Sequence, residues 1–469
     1  MSDTTLVWFR RDLRLSDNAA LRAAAAEGAV LPVYIHAPHE EKPWEPGAAS
    51  NWWLHHSLSA LQRELAAAGT PLIIRAGDTL AELQKLIDAT GATAVHWNRL
   101  YDPAVVKRDA QVKQALEKID IDCRDFGGYL LTEPGTVSNK TGNPYKVFTP
   151  FWKATLNTLQ VTAPDAVPQL QPCKPSPESL PVDALGLMPE ISWYEGFAQA
   201  WTPGEQAGLA QLDSFVAAEM GDYAEGRNRP DRVGTSRLSP HLHFGEVTPR
   251  QVFWSAHEAL ARRTAADLGA EKFLAEIGWR EFAHHLLVHF PHTPRSPLRE
   301  DFTDFPWRKP RKTDKAYRAW CKGTTNVPLV DAGMRELWHT GWMHNRVRMV
   351  VASFLTKNQL ITWEAGARWF WDTLVDANLA SNTLGWQWTA GCGADAAPFF
   401  RIFNPVRQGE KFDPDEHYVR HWCAELGDIP KGYGHSPWLA DGQYPVPIVD
   451  LGESRKLALA AFQTIKKPA

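Results

Sequence analysis

The hydrophobic pattern of the chain changes period once, and that change limits the folds open to it. Up to residue 126, short apolar runs at 4–9, 30–36, 71–75, 94–97 and 121–126 alternate with stretches of helical spacing. Short apolar runs read as strands, and strands separated by helices pair in parallel, so the first part is expected to be a doubly wound α/β domain. Ser16-Asp17-Asn18 offers a helix N-cap cluster, and Gly69 and Gly91 stand where helices should end. No Gly-x-Gly-x-x-Gly follows the first strand, which removes the usual dinucleotide signature.

Between about 130 and 200 the chain becomes richer in Pro, Gly and Ser, notably at 164–181, and periodicity fades. Such a stretch is expected to connect domains. Beyond 200, apolar positions recur at helical spacing at 273–289, 330–355 and 364–379, and strand-like alternation is rare. A chain of 469 residues exceeds the roughly 250–300 that one core supports. The expected organisation is therefore an α/β domain at 1–130, a connection at 131–200 and a larger all-α domain at 201–469.

Composition narrows the function classes. With 44% hydrophobic and 22% charged residues the chain is of globular type. It has no apolar run of about 18 residues and no signal-like N-terminus, so a cytoplasmic protein is expected. Five scattered cysteines without a Cys-x-x-Cys argue against a disulfide framework and against a zinc site, and no metal is expected. The net charge of −4 gives no global sign of nucleic-acid binding, yet residues 221–350 carry 21 Lys and Arg against 15 Asp and Glu. Fifteen of the 21 tryptophans lie beyond residue 190, which allows core bulk, base stacking or electron transfer.

Four constellations stand out. Glu276, Trp279 and Arg280 share a helical face at i, i+3 and i+4, a set that suits a base pocket beside a phosphate and equally a surface ion pair around a core tryptophan. In the segment 341–349, expected to be helical, Asn345, Arg348 and Met349 repeat that spacing. An inward Arg348 would need a buried carboxylate, for which Asp376 is the candidate, whereas an outward one would need none. Trp386 and Trp388 lie about 200° apart around a helix and must face different environments, as packing or as function. Gly234-Thr235-Ser236-Arg237-Leu238-Ser239, ahead of a helix, could cradle a phosphate or form a plain N-cap.

Taken with Val7-Trp8-Phe9-Arg10-Arg11-Asp12-Leu13-Arg14, the segments 142–151, 234–239, 278–282, 342–349, 384–388 and 401–405 resemble the DNA photolyase and cryptochrome family in family order. The resemblance implies FAD in the helical domain, with Thr235, Ser236, Arg237, Leu238 and Ser239 at its phosphates and Tyr223 and Phe273 nearby. It implies an Arg348–Asp376 pair beside the isoalloxazine, with Asn378 and Asn382 completing the flavin contacts and Asn382 near the central ring nitrogen. Trp386, Trp363 and Trp307 would carry electrons to the flavin. Glu276, Trp279, Arg280, Asn345, Arg346, Met349 and Trp388 would surround the lesion, with Arg227 and Gln408 as further DNA contacts; Glu276, Asn382 and Met349 would be the catalytic set.

The implied activity is that of a photolyase, in which blue light drives an electron from reduced FAD into a cyclobutane pyrimidine dimer of UV-damaged DNA. Met349 replaces the His of relatives that act on (6-4) lesions, and it has no proton to give. Asn378 stands where an Asp is more usual. For an antenna chromophore, folate or deazaflavin, Ala104-Val105 stand where folate-binding bacterial relatives carry Asn-Glu, which leaves a deazaflavin, another flavin, a different folate pose or no antenna; the resemblance also implies a monomer without an obligate protein partner. Its alternative is a cryptochrome-type photosensor, with or without repair.

Overall fold

The computed structural model describes residues 4–174, 176–261, 268–396, 400–440 and 444–465. Five strands, β1 (Thr4–Phe9), β2 (Ala29–His36), β3 (Ile73–Ala76), β4 (Ala94–Asn98) and β5 (Asp122–Phe126), form a parallel sheet of order β3-β2-β1-β4-β5. The central β1 is apolar on both faces. Leu6 and Trp8 join Leu31, Val33 and Ile35 on one side, while Val7 and Phe9 join Val30 and Tyr34 on the other. Helices α1 (Ala19–Glu27), α2 (Ala48–Ala67), α3 (Thr79–Thr90) and α4 (Pro103–Glu117) make the crossovers. Asn18 caps α1 by accepting from the Leu21 N–H at 3.1 Å, and Gly91 ends α3 in the left-handed region.

The stretch 131–200 is more structured than its composition suggested. Helix α5 (Phe148–Thr158) packs Phe148 and Phe151 against Phe282 of the helical part, and a two-residue strand, β6 (Gln171–Pro172), returns to pair with β2. Its helical spacing is short enough to be masked by the surrounding Pro and Gly.

Beyond it come α6 (Glu205–Ala218), α7 (Pro249–Ala261), α8 (Leu268–His289), α9 (Lys315–Lys322), α10 (Pro328–Thr340), α11 (Asn345–Ser353), α12 (Trp363–Thr373), α13 (Leu379–Ala390), α14 (Pro405–Phe412), α15 (His417–Trp422) and α16 (Leu451–Thr464). The periodic stretches at 330–355 and 364–379 are each interrupted. Gly341 ends α10 at φ +67, where a Cβ would also meet Val375 Cγ1 at 2.7 Å, and the chain is extended at Leu374 before α13 begins. The helix expected at 341–349 accordingly starts only at Asn345, with His344 as its cap. Among the described residues no helix is long and apolar enough to cross a membrane.

The two parts are joined by a seam of buried polar groups. Asp12 accepts from Asn98 Nδ2 at 2.7 Å, and Arg14, 1% exposed, donates to the carbonyls of Asp17 and Gly245 at 2.9 and 2.8 Å. The Glu205 carboxylate accepts from the Leu15 and Ser16 N–H groups. Glu246, fully buried, accepts from Trp53 Nε1 of α2 at 3.0 Å and from Gly204 N at 2.8 Å, and meets His241 Nδ1 at 2.5 Å. Removing that carboxylate strands two buried donors. Glu246→Ala should cost about 3–5 kcal/mol in urea denaturation; a loss below about 1 kcal/mol would show that Glu246 does not close the seam.

Candidate functional site

Helix α11 presents Asn345, Arg348 and Met349 along one side, as their spacing requires. Arg348 is half-buried and turned inward. Its Nε donates to the Met343 carbonyl at 2.7 Å, and its Nη2 donates to Asp376 Oδ2 and Oδ1 at 2.9 and 3.2 Å. Asp376 is buried, so the pair satisfies what either charge alone could not. Ser239 donates its hydroxyl to Asp376 Oδ2 at 2.6 Å. Ser239, expected at a phosphate, also braces the carboxylate, a contact across 137 residues that no local pattern reveals.

Helix α13 begins directly after this pair. Asn378 caps it, accepting from Ser381 N at 3.0 Å, while its Nδ2 donates to the Tyr129 hydroxyl at 3.2 Å and reaches His284 Nε2 at 3.4 Å. The His284 Nδ1 lies 2.9 Å from the Arg280 carbonyl and is thereby the protonated nitrogen. Burial pushes the His284 pKa well down, helped by the nearby Arg280 and Arg11, so the ring stays neutral and Nε2 accepts from the amide. One turn on, Asn382 donates from Nδ2 to the Ala367 carbonyl at 3.0 Å.

Trp386 and Trp388 divide as the 200° separation demands. Trp386 is 2% exposed, edge-on to Phe370 at 5.0 Å and to Trp320 at 6.2 Å. Its ring fills the place a side chain at Gly366 would take, since a Cβ there would lie 2.0 Å from Trp386 Cη2. Trp388 is half-buried, near-parallel to Phe403 at 6.3 Å, with its Nε1 donating to the Asp395 carbonyl at 3.1 Å. Trp363 is buried in the same core as Trp386, and Trp307 packs at that core's edge, 4.5 Å from Phe305 and donating to the Thr356 carbonyl. Trp320 was not singled out from sequence. Its spacing from Tyr317, three residues earlier on α9, is the available signal, and the two rings stack at 6.0 Å.

The loop 235–239 fits a cofactor with phosphates. Arg237 sits at φ +51, with its guanidinium over Trp201 and Trp342 at 4.4 and 4.9 Å, and its buried Nε has no partner among the described residues. A cation held by aromatic faces, with a donor unspent, suits an anion. Thr235 and Ser236 are half-buried beside it, and Leu238 is buried. Tyr223 and Phe273 enclose one another with Phe215 in a separate cluster, ring centroids 5.4 Å apart for the first two. Thr235, Ser236 and Arg237 would hold the FAD diphosphate, and the Arg348–Asp376 pair and Asn382 would meet its ring system.

On α8, Glu276 pairs with Arg227, so two expected contacts to DNA are ion-paired to each other. Burial raises the Glu276 pKa, and Arg227 only partly offsets it. One face of Trp279 is covered by Phe148, 3.9 Å away and 9° from parallel. Arg280 is not brought to this group. It donates to the Tyr129 and Leu242 carbonyls at 2.8 and 3.3 Å and covers the Tyr129 ring, so it ties α8 to the end of the α/β part. Helical spacing placed it correctly on α8, but the reach of its long side chain decides its partners. Asn345 is exposed, Arg346 bonds Asn228 and lies over Phe412, and Gln408 has a buried amide oxygen without a partner among the described residues.

Among the described residues, Asp231, Asp415 and His417 form the one group that could hold a metal ion, and Arg229 already pairs with both carboxylates at 2.6 and 3.6 Å.

Residues 5–172 match the family model described as DNA photolyase, and residues 273–464 match the FAD binding domain of DNA photolyase. The chain is 46% identical to a deoxyribodipyrimidine photo-lyase of Agrobacterium fabrum, over 98% of each chain. It is 38% identical to cryptochrome-2 of Arabidopsis thaliana, over all of this chain and 80% of the relative. The crystal structure of a bacterial class III photolyase from Agrobacterium tumefaciens superposes with a TM-score of 0.94 at 46% identity, covering 100% of this chain and 98% of that one. The chain thus belongs to the DNA photolyase and cryptochrome family.

Proposed function

We propose that the chain repairs cyclobutane pyrimidine dimers in UV-damaged DNA under blue light. The observation that carries this reading is the division of α13, whose Trp386 is sealed in the core while Trp388, two residues on, is half-buried beside Phe403. One helix then serves a buried cofactor on one side and a base platform on the other.

FAD, when bound and reduced, supplies one electron to the dimer after absorbing light and takes it back once the ring has split. The chain's own groups do the rest. Asn382 and the Arg348–Asp376 pair orient the cofactor. A dimer flipped from the duplex, at a cost of a few kcal/mol that damage lowers, stacks on Trp388 and Trp279. Glu276, whose carboxylate is paired with Arg227, can accept from a base N–H. Met349, partly buried against the core, offers a soft apolar contact and no proton, in keeping with cyclobutane chemistry. Asn345, Arg346, Arg227 and Gln408 supply polar contacts to the strand. Trp386, Trp363 and Trp307 form the route by which light reduces an oxidised cofactor.

A cleft between the parts, lined by Arg10, Arg11, Tyr34, Glu41, Phe244 and Trp371, is the place we assign to a second, light-harvesting chromophore. A photosensor role is the second reading, favoured by the 38% identity to a cryptochrome over the whole chain.

UV-irradiated oligothymidylate, incubated with reduced protein in blue light and in darkness, decides between the two. Repair restores thymine absorbance in light alone, and no light-dependent recovery would exclude repair and leave the sensor. Trp388→Ala should weaken binding of damaged DNA by about 1–3 kcal/mol per base stacked while sparing undamaged DNA. An equal loss on both would show that Trp388 is not the lesion platform.

A further inference from the structure

The two rings that the proposed function gives to the lesion stand on different helices, Trp279 on α8 and Trp388 on α13, and a third segment joins them. Phe148, the first residue of α5 and 9% exposed, lies 3.9 Å behind the Trp279 ring and 9° from parallel to it. Trp152, one turn on, is near-parallel to Phe148 at 6.4 Å and covers Gly278, where a Cβ would come 2.6 Å from Trp152 Cδ2. Trp279 therefore takes its orientation from α5, a helix of the connection, as well as from its own helix.

On the other side, Trp388 Nε1 donates to the Asp395 carbonyl at 3.1 Å, and Asp395 N donates to the Lys146 carbonyl at 3.1 Å. The Phe148 N–H donates to the Asp395 carboxylate. Val147, the residue ahead of α5, makes no side-chain cap bond, so a carboxylate from a distant part of the chain serves the open N–H end of this helix, where the helix dipole favours it. Asp395 holds φ +49, a left-handed backbone that residues other than Gly adopt at a cost, and its neighbour Ala394 is buried in the same cluster as Phe148. One residue thus meets α13 with its carbonyl and the start of α5 with its N–H and its carboxylate. We propose that Asp395 and Phe148 are positioning residues that clasp the lesion platform, fixing Trp388 and Trp279 relative to each other through the first turn of α5.

This rests on the reading of Trp279 and Trp388 as the platform for a flipped dimer, and adds what holds the platform in shape. Rings that must be ordered on binding give up part of the stacking free energy, whereas rings already placed keep it. Undamaged duplex keeps its bases paired and does not engage the rings, so loosening the clasp weakens damaged DNA alone. None of the clasp contacts involves a group assigned to FAD.

The test uses full-length protein loaded with FAD, with affinity for a duplex carrying one thymine dimer and for the same duplex undamaged read by fluorescence anisotropy. Asp395→Gly keeps the left-handed backbone and the carbonyl that Trp388 bonds, and deletes the carboxylate alone. Affinity for damaged duplex should fall about tenfold, with undamaged duplex and FAD content unchanged, and Asp395→Asn, which keeps an acceptor for the Phe148 N–H, should restore most of the loss. In a Trp388→Ala background the effect of Asp395→Gly should shrink to about twofold or less, as expected of groups that act together. No loss, an equal loss on both duplexes, or a loss that persists in full in that background overturns the clasp. If Trp388→Ala itself leaves the preference for damaged duplex intact, the platform reading fails and the clasp with it. Should Asp395→Gly not fold, Phe148→Leu removes the ring behind Trp279 and must weaken damaged duplex selectively; damaged-duplex affinity at the wild-type level is then equally fatal.

Discussion

A carboxylate enclosed in protein has to be paired, and the pairing of Asp376 organises the helical part of this chain. Its partners come from two places, Arg348 on α11 and Ser239 at the start of the short helix Ser239–His243, and the Met343 carbonyl holds the same guanidinium from behind. Breaking such a pair leaves an uncompensated charge worth about 3–5 kcal/mol, so these segments cannot drift independently. The extended stretch between α12 and α13, the cap at Asn378 and the start of α11 at Asn345 flank that pair.

Helix α13 converts this fixed point into function. Asn378 ties its first turn to Tyr129 and His284, Asn382 ties its middle to α12, and Trp386 is clamped by Phe370, Trp320 and the missing side chain at Gly366. Trp388 is then aimed by default toward the opposite side. One helix thus holds a buried ring and a partly exposed ring at a fixed angle, and on the proposed reading this is what would bring cofactor and substrate near each other.

Much of this was legible in the residues. The change from short apolar runs to helical spacing located the five parallel strands to within two residues, because a sheet apolar on both faces leaves continuous runs. The residues left Arg348 inward or outward and named Asp376 as its candidate partner, and the family resemblance implied the pair that the structure shows. What escaped was set by contacts distant in sequence. Arg14 and its neighbours carried the resemblance, yet their work is to bond the seam between the domains. Ser239 bonds Asp376, and Arg280 reaches the Tyr129 carbonyl 151 residues away. Trp320 stayed unnoticed because its value lies in an edge contact with a ring on another helix.

The account stands on a cofactor site built around the Asp376 carboxylate, and the most direct measurement is FAD retention by Asp376→Asn in full-length protein. The substitution keeps the shape and leaves Arg348 without its counter-charge. Flavin absorbance relative to protein absorbance should fall with an affinity loss of about 100-fold or more, in a chain whose circular dichroism is unchanged. A folded variant that keeps FAD with wild-type affinity would contradict the account.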